Sequence, residues 1–281
     1  MMDSCLYLLA TPIGNLEDIT LRCLRILREA DIIAVEDTRQ TAKLLNHYDI
    51  KKPMISYHEH NKKSKGEEII GLLLEGKNIA LVSDAGMPCI SDPGEDLVRL
   101  CVEKGIKVVP VPGPSASLTA LSISALPTSR FAFEGFLPVK GKERRERLQR
   151  LSKEDRTIIL YEAPHRLLTT LRDLRQHMGN PKVSISRELT KKFEETVRTD
   201  LEGAIKEFEG RSIKGEFVLI IEGKSLEVLK IEEGQIWETI SVKDHIIMHM
   251  EKGLSKKEAI TLVAKERSLN KKEVYNISIE I

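Results

Sequence analysis

Five short turns concentrate the residues able to do chemistry. Thr11-Pro-Ile-Gly-Asn15, Glu36-Asp-Thr-Arg39, Tyr57-His-Glu-His-Asn61, Ser83-Asp-Ala-Gly-Met-Pro88 and Pro112-Gly-Pro-Ser-Ala116 each follow a short apolar run. Glycine in such a turn lets a ligand approach the backbone, and proline fixes the angle of approach. Asp84 offers a carboxylate that can accept from a ligand hydroxyl or amine; the plainer use of such a residue is a helix cap or a loop hydrogen bond. His58 and His60 flank Glu59, but i, i+2 spacing points side chains to opposite sides of an extended chain, and no third ligand is placed, so no metal is expected. The four cysteines (Cys5, Cys23, Cys89 and Cys101) form no Cys-x-x-Cys pair. There is no Gly-x-Gly-x-x-Gly after the first apolar run, no Gly-x-x-x-x-Gly-Lys-Ser/Thr and no Gly-x-Ser-x-Gly. A Rossmann dinucleotide site, a P-loop and a serine-hydrolase elbow all lose their support.

The elements that must carry these turns are legible. Cys5 to Ala10, Ile32 to Val35, Met54 to Ser56, Ile79 to Val82 and Lys107 to Val111 are apolar runs of strand length without period-2 polarity. Helical spacing follows each, as in Leu21, Leu24 and Leu27, with Asp18 or Thr20 available as a cap. Alternating strands and helices of this kind predict a largely parallel sheet covered on both faces, with ligands beyond the carboxyl ends of the strands. A second α/β set begins near residue 125. It includes a basic helix from about Gly141 to Ser152, a strand Thr157 to Tyr161 followed by Glu162-Ala-Pro-His-Arg166, and a late strand Glu216 to Ile221. Leu226 to Gln235 is polar and aperiodic, as a linker would be. Beyond it, helices capped by Ser255 and Asn270 suggest a helix-turn-helix-like tail. The expected organisation is an α/β domain over 1–124, a second over 125–225 and a tail over 237–281.

Composition sets the class. The 281 residues are 41% hydrophobic and 31% charged, as in a globular protein. The longest uncharged stretch, Val108 to Ser129, contains four prolines and is expected to be strand, turn and helix rather than a membrane span. No secretory leader is apparent, so reduced thiols and a cytoplasmic location are expected. Net charge is +1, but Lys140 to Arg156 holds eight basic residues against four acidic ones, and Lys252 to Lys272 holds seven against two. Such runs could meet a polyanion, but on charge alone a solvated helix face is the favoured reading. Aromatic residues are 4%, so base-stacking platforms are expected to be few.

Seven segments in one order carry a resemblance. They are Thr11 to Thr20, Glu36 to Arg39, Leu81 to Pro88, Pro110 to Ala116, Glu134 to Pro138, Tyr161 to Arg166 and Arg187 to Lys191. Together they resemble the small-subunit ribosomal RNA methyltransferase I family, a bacterial branch of the tetrapyrrole-methylase superfamily, from about residue 5 to 223. Met87 stands where that family most often has threonine. The resemblance implies two α/β domains with S-adenosylmethionine in the cleft between them, a small all-α tail, and usually a homodimer. It implies methylation of the ribose 2′-oxygen of a decoding-centre cytidine in 16S rRNA, within the 30S subunit. Carried over by motif, the cofactor contacts would be Pro12, Asp84, Met87, Ser115 and Ala116, with Tyr161 and Phe217 from the second domain.

A sulfonium methyl is already activated, so the protein must chiefly align the reactants and help remove the hydroxyl proton. Glu162, His165, Glu36 and Asp37 are candidates for that proton. Arg39 and Arg166 are candidates for phosphates, as are Arg144, Arg145 and Arg147 on the basic helix. Neither reaction nor fold demands a metal or a membrane. Two alternatives stay open: a tetrapyrrole methyltransferase, and a ligand-responsive helix-turn-helix DNA-binding regulator.

Overall fold

The computed structural model of the chain describes residues 4–225 and 240–279; the linker expected at Leu226 to Gln235 and the start of the tail at Trp237 lie outside them. β1 (Cys5–Leu9), β2 (Ile32–Val35), β3 (Met54–Ser56), β4 (Ile79–Val82) and β5 (Lys107–Val111) form a sheet in the order β3-β2-β4-β1-β5. Every pairing in it is parallel. Because neighbouring residues of a strand point to opposite faces, each strand feeds two cores. Leu9, Ile33, Val35, Ala80 and Val82 meet Cys23, Ile26 and Leu27 of α1 (Leu21–Glu29) and Leu45 of α2 (Thr38–His47). Leu6, Ala34, Ile79 and Leu81 meet Ile69 and Leu73 of α3 (Lys62–Leu74) and Leu97 and Cys101 of α4 (Glu95–Glu103). Both faces are therefore dry, which is why these strands lack polar alternation. Thr20, not Asp18, caps α1: its hydroxyl accepts from the Cys23 amide at 3.0 Å.

α5 (Ala116–Ser122) leaves the first sheet and packs on the second, where Ala120 and Leu121 meet Ile159, Val218 and Ile220. The second sheet is mixed, in the order β6-β7-β10-β8-β9. Its strands are β6 (Phe131–Phe136), β7 (Thr157–Glu162), β8 (Lys182–Arg187), β9 (Glu195–Asp200) and β10 (Phe217–Ile221). Only β6 and β7 run parallel. The opposite face is covered by α6 (Gly141–Leu151), α7 (Leu167–Met178) and α8 (Leu201–Phe208), through Leu148, Leu171, Leu174 and Phe208. Burying each such leucine contributes about 1.5–3 kcal/mol.

The chain divides into two compact units, one holding both sheets and one holding Ser152–Asp155 with the chain from Gly223 onward. In the second unit, helices Val242–Glu251, Lys256–Glu266 and Lys271–Ser278 bury Ile246, Ala259, Ile260, Val263 and Val274. Ser255 and Glu258 form a reciprocal capping box, and Asn270 caps the last helix. His245 and His249, one turn apart, converge with Glu266, the metal-type grouping found among the described residues. Arg267 Nε donates to His245 Nδ1 at 3.1 Å. That leaves the ring proton on Nε2, which faces Glu266 Oε2 at 3.2 Å. Arg267 thus spends His245 on a hydrogen-bonded cluster rather than on a cation.

Candidate active site

A cavity of about 450 Å³ opens beyond the carboxyl ends of the first sheet's strands. Its walls come from both sheets: Glu36, the Asp84–Asp92 segment, Ser115 and Ala116 on one side, and Phe136, Tyr161, Ser186, Glu188, Phe217 and Val218 on the other. Two turns of the first sheet are clamped together. Thr11 and Gly86 exchange backbone hydrogen bonds of 2.9 and 3.0 Å, and the Thr11 hydroxyl donates to Ser83 O at 3.2 Å. Gly86 sits at φ +83°, which a side chain would resist. The next turn is tighter still. Cys89 and Ser91 hold positive φ of 70° and 65°, and Gly94 at φ +142° has no room for a Cβ, which would stand 2.5 Å from Cys89 Sγ. Strain of this kind persists where the surroundings over-determine it, commonly at ligand sites.

The cavity is acidic on its first-sheet side. Burial pushes the Glu36 carboxyl up, helped by the Asp84 charge. Asp84, exposed by surface area but partly desolvated by the cavity wall, is also raised, although it accepts from the Asp37 amide at 3.2 Å. Asp92, half-buried, is pushed up to about 6 by burial and then by Glu36 and Asp84, with the Ser83 hydroxyl working the other way. On the second-sheet side, burial raises the Tyr161 hydroxyl, which bonds Ser117. The Tyr161 ring stands edge-on to Phe133 and Phe136, at centroid distances of 5.2 and 5.6 Å.

Six of the residues expected at a cofactor line this cavity: Asp84, Met87, Ser115, Ala116, Tyr161 and Phe217. Pro12 does not; its neighbour Ile13 does. Among the residues expected to take a proton, Glu36 lines it with a half-buried carboxyl. Glu162 also borders it, yet its carboxylate is fully engaged. It accepts from the Ala163 amide at 2.9 Å and the Thr170 hydroxyl at 2.5 Å, and pairs with Arg166 Nε at 3.2 Å. Asp37 lies off the cavity wall, capping α2 through the Arg39 amide and held down to about 2 by its bonds to Arg39. His165 is exposed on a 3-10 turn and does not reach the cavity. Of the four, Glu36 and Glu162 border the cavity, Glu162 with its carboxylate engaged, while Asp37 and His165 do not line it. Asp92 also lines the cavity, although Ser91-Asp-Pro-Gly94 has the composition of an ordinary turn before a helix.

The basic residues divide too. Arg144 is buried, donating to Asp173 (2.8 Å), Pro138 O (2.9 Å) and Thr170 (3.0 Å), so it has no face for a phosphate. Arg166 donates to Leu137 O at 2.6 Å and pairs with Glu162 at 3.2 Å. Arg147 pairs with Glu134 at 3.1 Å. Arg145 is exposed, with Lys142 and Arg150, and Arg39 is 86% exposed beside Asp37.

Residues 5–205 match the family of Tetrapyrrole (Corrin/Porphyrin) Methylases, and the chain belongs to that family. A crystal structure of diphthine synthase shares the fold with a TM-score of 0.62 at 16% identity, over 82% of this chain and 94% of that one. Within the family, the chain groups with proteins named Ribosomal RNA small subunit methyltransferase I. The one from Halalkalibacterium halodurans is 52% identical over 273 residues, 97% of this chain and 93% of its own. The one from Bacillus subtilis is 48% identical over 271 residues, 96% and 92% of the two chains.

Proposed function

We propose that this protein transfers a methyl group from S-adenosylmethionine to the ribose 2′-hydroxyl of a decoding-centre cytidine in 16S rRNA, within the 30S subunit. The observation that carries the reading is the cavity itself, in a chain about half identical to named small-subunit rRNA methyltransferases. Its size falls in the range of small-ligand sites. Its donor set fits the cofactor: Glu36, Asp84 and Asp92 complement a cationic ammonium and sulfonium and can accept from ribose hydroxyls, while Ile13, Met87, Ala116, Phe217 and Val218 offer apolar walls to an adenine. When bound, S-adenosylmethionine supplies an activated methyl on sulfur. The chain's own residues orient the two substrates and exclude water. Tyr161, held by Ser117 and braced by Phe133 and Phe136, fixes the wall contributed by the second sheet.

Arg145, Lys142 and Arg150 present exposed positive charge on α6, and Arg39 does so near the Glu36 turn, so these supply the phosphate contacts. In this reading residues 1–124 and 125–225 act as two α/β domains, 237–281 as an RNA-engaging tail, and the protein works as a homodimer in the cytoplasm. Methyl-labelled S-adenosylmethionine with purified 30S subunits tests it. Label mapped to a single 2′-O-methylcytidine in 16S rRNA supports the reading. Label in base carbons or nitrogens, in a tetrapyrrole offered instead, or in neither overturns it.

A further inference from the structure

Two large apolar side chains of the cavity wall are left exposed among the described residues, and neither has a part in the cofactor contacts above: Ile90 at 49% and Phe136 at 52%. Phe136 owes its place to an irregularity in β6. Phe133 pairs with Ile159 and Gly135 with Leu160, so β6 spends an extra residue, Glu134, before the ladder resumes at Phe136 and Tyr161. In a regular strand Phe133 and Phe136, three apart, would point to opposite faces. The bulge reverses that parity, and both rings stand against Tyr161, at 5.2 and 5.6 Å between centroids. Glu134 goes the other way, to Arg147 of α6. Gly135, at φ +62°, permits the bulge and lets the opposite wall close on it: a Cβ there would stand 3.2 Å from Ser91 Oγ. Ser91 follows Ile90 in the strained turn of residues 89–91, so each exposed side chain is the chain neighbour of a residue at the contact between the two walls.

We propose that Phe136, with Ile90 on the opposite wall, is the platform on which the base of the target nucleotide stacks after leaving its strand. This rests on the ribose-methylation reading above. The base is bonded to C1′, next to the carbon that carries the reacting hydroxyl, so it must enter the mouth of the cavity with the ribose. A base drawn out of its strand loses its stacking neighbours, and an aromatic ring at the pocket replaces them. A ring face accepts any base and offers no hydrogen bond, so Phe136 is a positioning residue that holds the nucleotide without choosing it. The acidic wall of Glu36, Asp84 and Asp92 suits the cationic cofactor, which leaves the apolar rim to a flat, uncharged group. Residues 137–140 alone join Phe136 to α6, whose exposed Lys142, Arg145 and Arg150 meet phosphates of the same strand in this reading.

Kinetics with 30S subunits and methyl-labelled S-adenosylmethionine test it. Phe136→Ala should raise KM for the subunits by about 5–150-fold, the worth of one base–aromatic stack, with kcat within threefold and cofactor affinity by calorimetry within twofold. Phe136→Tyr should keep the wild-type KM within threefold, and Phe136→Leu, apolar but without a ring face, should not. Dependence on the base itself is a readout that lost packing would not move. Subunits reconstituted with 16S rRNA lacking the base at the methylated position should bind the wild type as weakly as ordinary subunits bind Phe136→Ala, and removing the base should cost the variant nothing further. An unchanged KM in Phe136→Ala, or an equally large loss on base removal in the variant, overturns the platform. Weakened S-adenosylmethionine binding in Phe136→Ala would give the ring to the cofactor, and a changed oligomeric state by light scattering would give it to a second copy of the chain; either outcome also overturns the proposal. Should Phe136→Ala not fold, Phe136→Leu is held to the same outcomes. A wild type that transfers no label to 30S subunits overturns the ribose-methylation reading, whereas a labelling wild type beside an indifferent variant removes the platform alone.

Discussion

Replacing Arg144 by alanine should be among the most damaging single changes on the basic helix, and replacing Arg145 beside it should cost almost nothing. Arg144 is 6% exposed and ties α6 to α7 and to the Pro138 carbonyl. It also shares Thr170 with Glu162, which in turn holds Arg166 and the turn after β7. Truncation removes three bonds to a charged donor and leaves Asp173 and Pro138 O without their partner. Breaking a buried pair by removing one member costs about 3–5 kcal/mol. For a body of this size one kcal/mol moves Tm by about 2–4 °C, so the expected fall is roughly 6–20 °C. Arg145→Ala, on the solvent side of the same turn, should stay within about 0.5 kcal/mol. Urea unfolding followed by circular dichroism gives both numbers from one preparation. Equal stabilities for the two variants would refute the inward placement of Arg144.

Three further outcomes are expected. Asp84→Ala should weaken S-adenosylmethionine binding in calorimetry while the fold persists, since Asp84 is an exposed turn residue carrying little packing; unchanged affinity would take it out of the site. Replacing Lys142, Arg145 and Arg150 together by alanine should flatten the salt dependence of 30S binding, by about 0.7 in log–log slope per lost phosphate contact, without altering cofactor affinity; an identical slope would leave that face merely solvated. In the tail, burial holds His245 down to about 4, against about 6.5 for a free ring. The unfolded tail then binds more protons between these values, so stability falls as pH drops from about 6.5 to 4, by on the order of 3 kcal/mol in total. A His245 ring that titrates near 6.5 in the folded tail, by its NMR shift, would refute this.

The parallel sheet was legible because strands covered on both faces need no polar residues, and runs such as Ile79 to Val82 have none. β9 and α8 were not anticipated, for the matching reason. β9 is an edge strand, paired only with β8, so its sequence Glu-Thr-Val-Arg-Thr-Asp carries polar residues at every position but one. The site was half legible. Residues whose role depends on where the backbone goes, such as Asp84, Ser115 and Ala116, sit in turns that the strand ends dictate. Residues whose role depends on what their side chains meet were not. Counting charge along Lys140 to Arg156 treats every arginine as solvated, yet Arg144, Leu148 and Leu151 lie at i, i+4 and i+7 on one helical face, and all three are buried. Glu162 is the sharper case. A carboxylate at the end of a strand looks like a base until Thr170, eight residues on, and Arg166, four residues on, close over it. Helical geometry after β7 brings both back to the same strand end, so the acid that looked free from its position is spent. Asp92, followed by proline and so placed outside the helix that begins at Glu95, reaches the cavity from a loop whose composition marks it as no more than a turn.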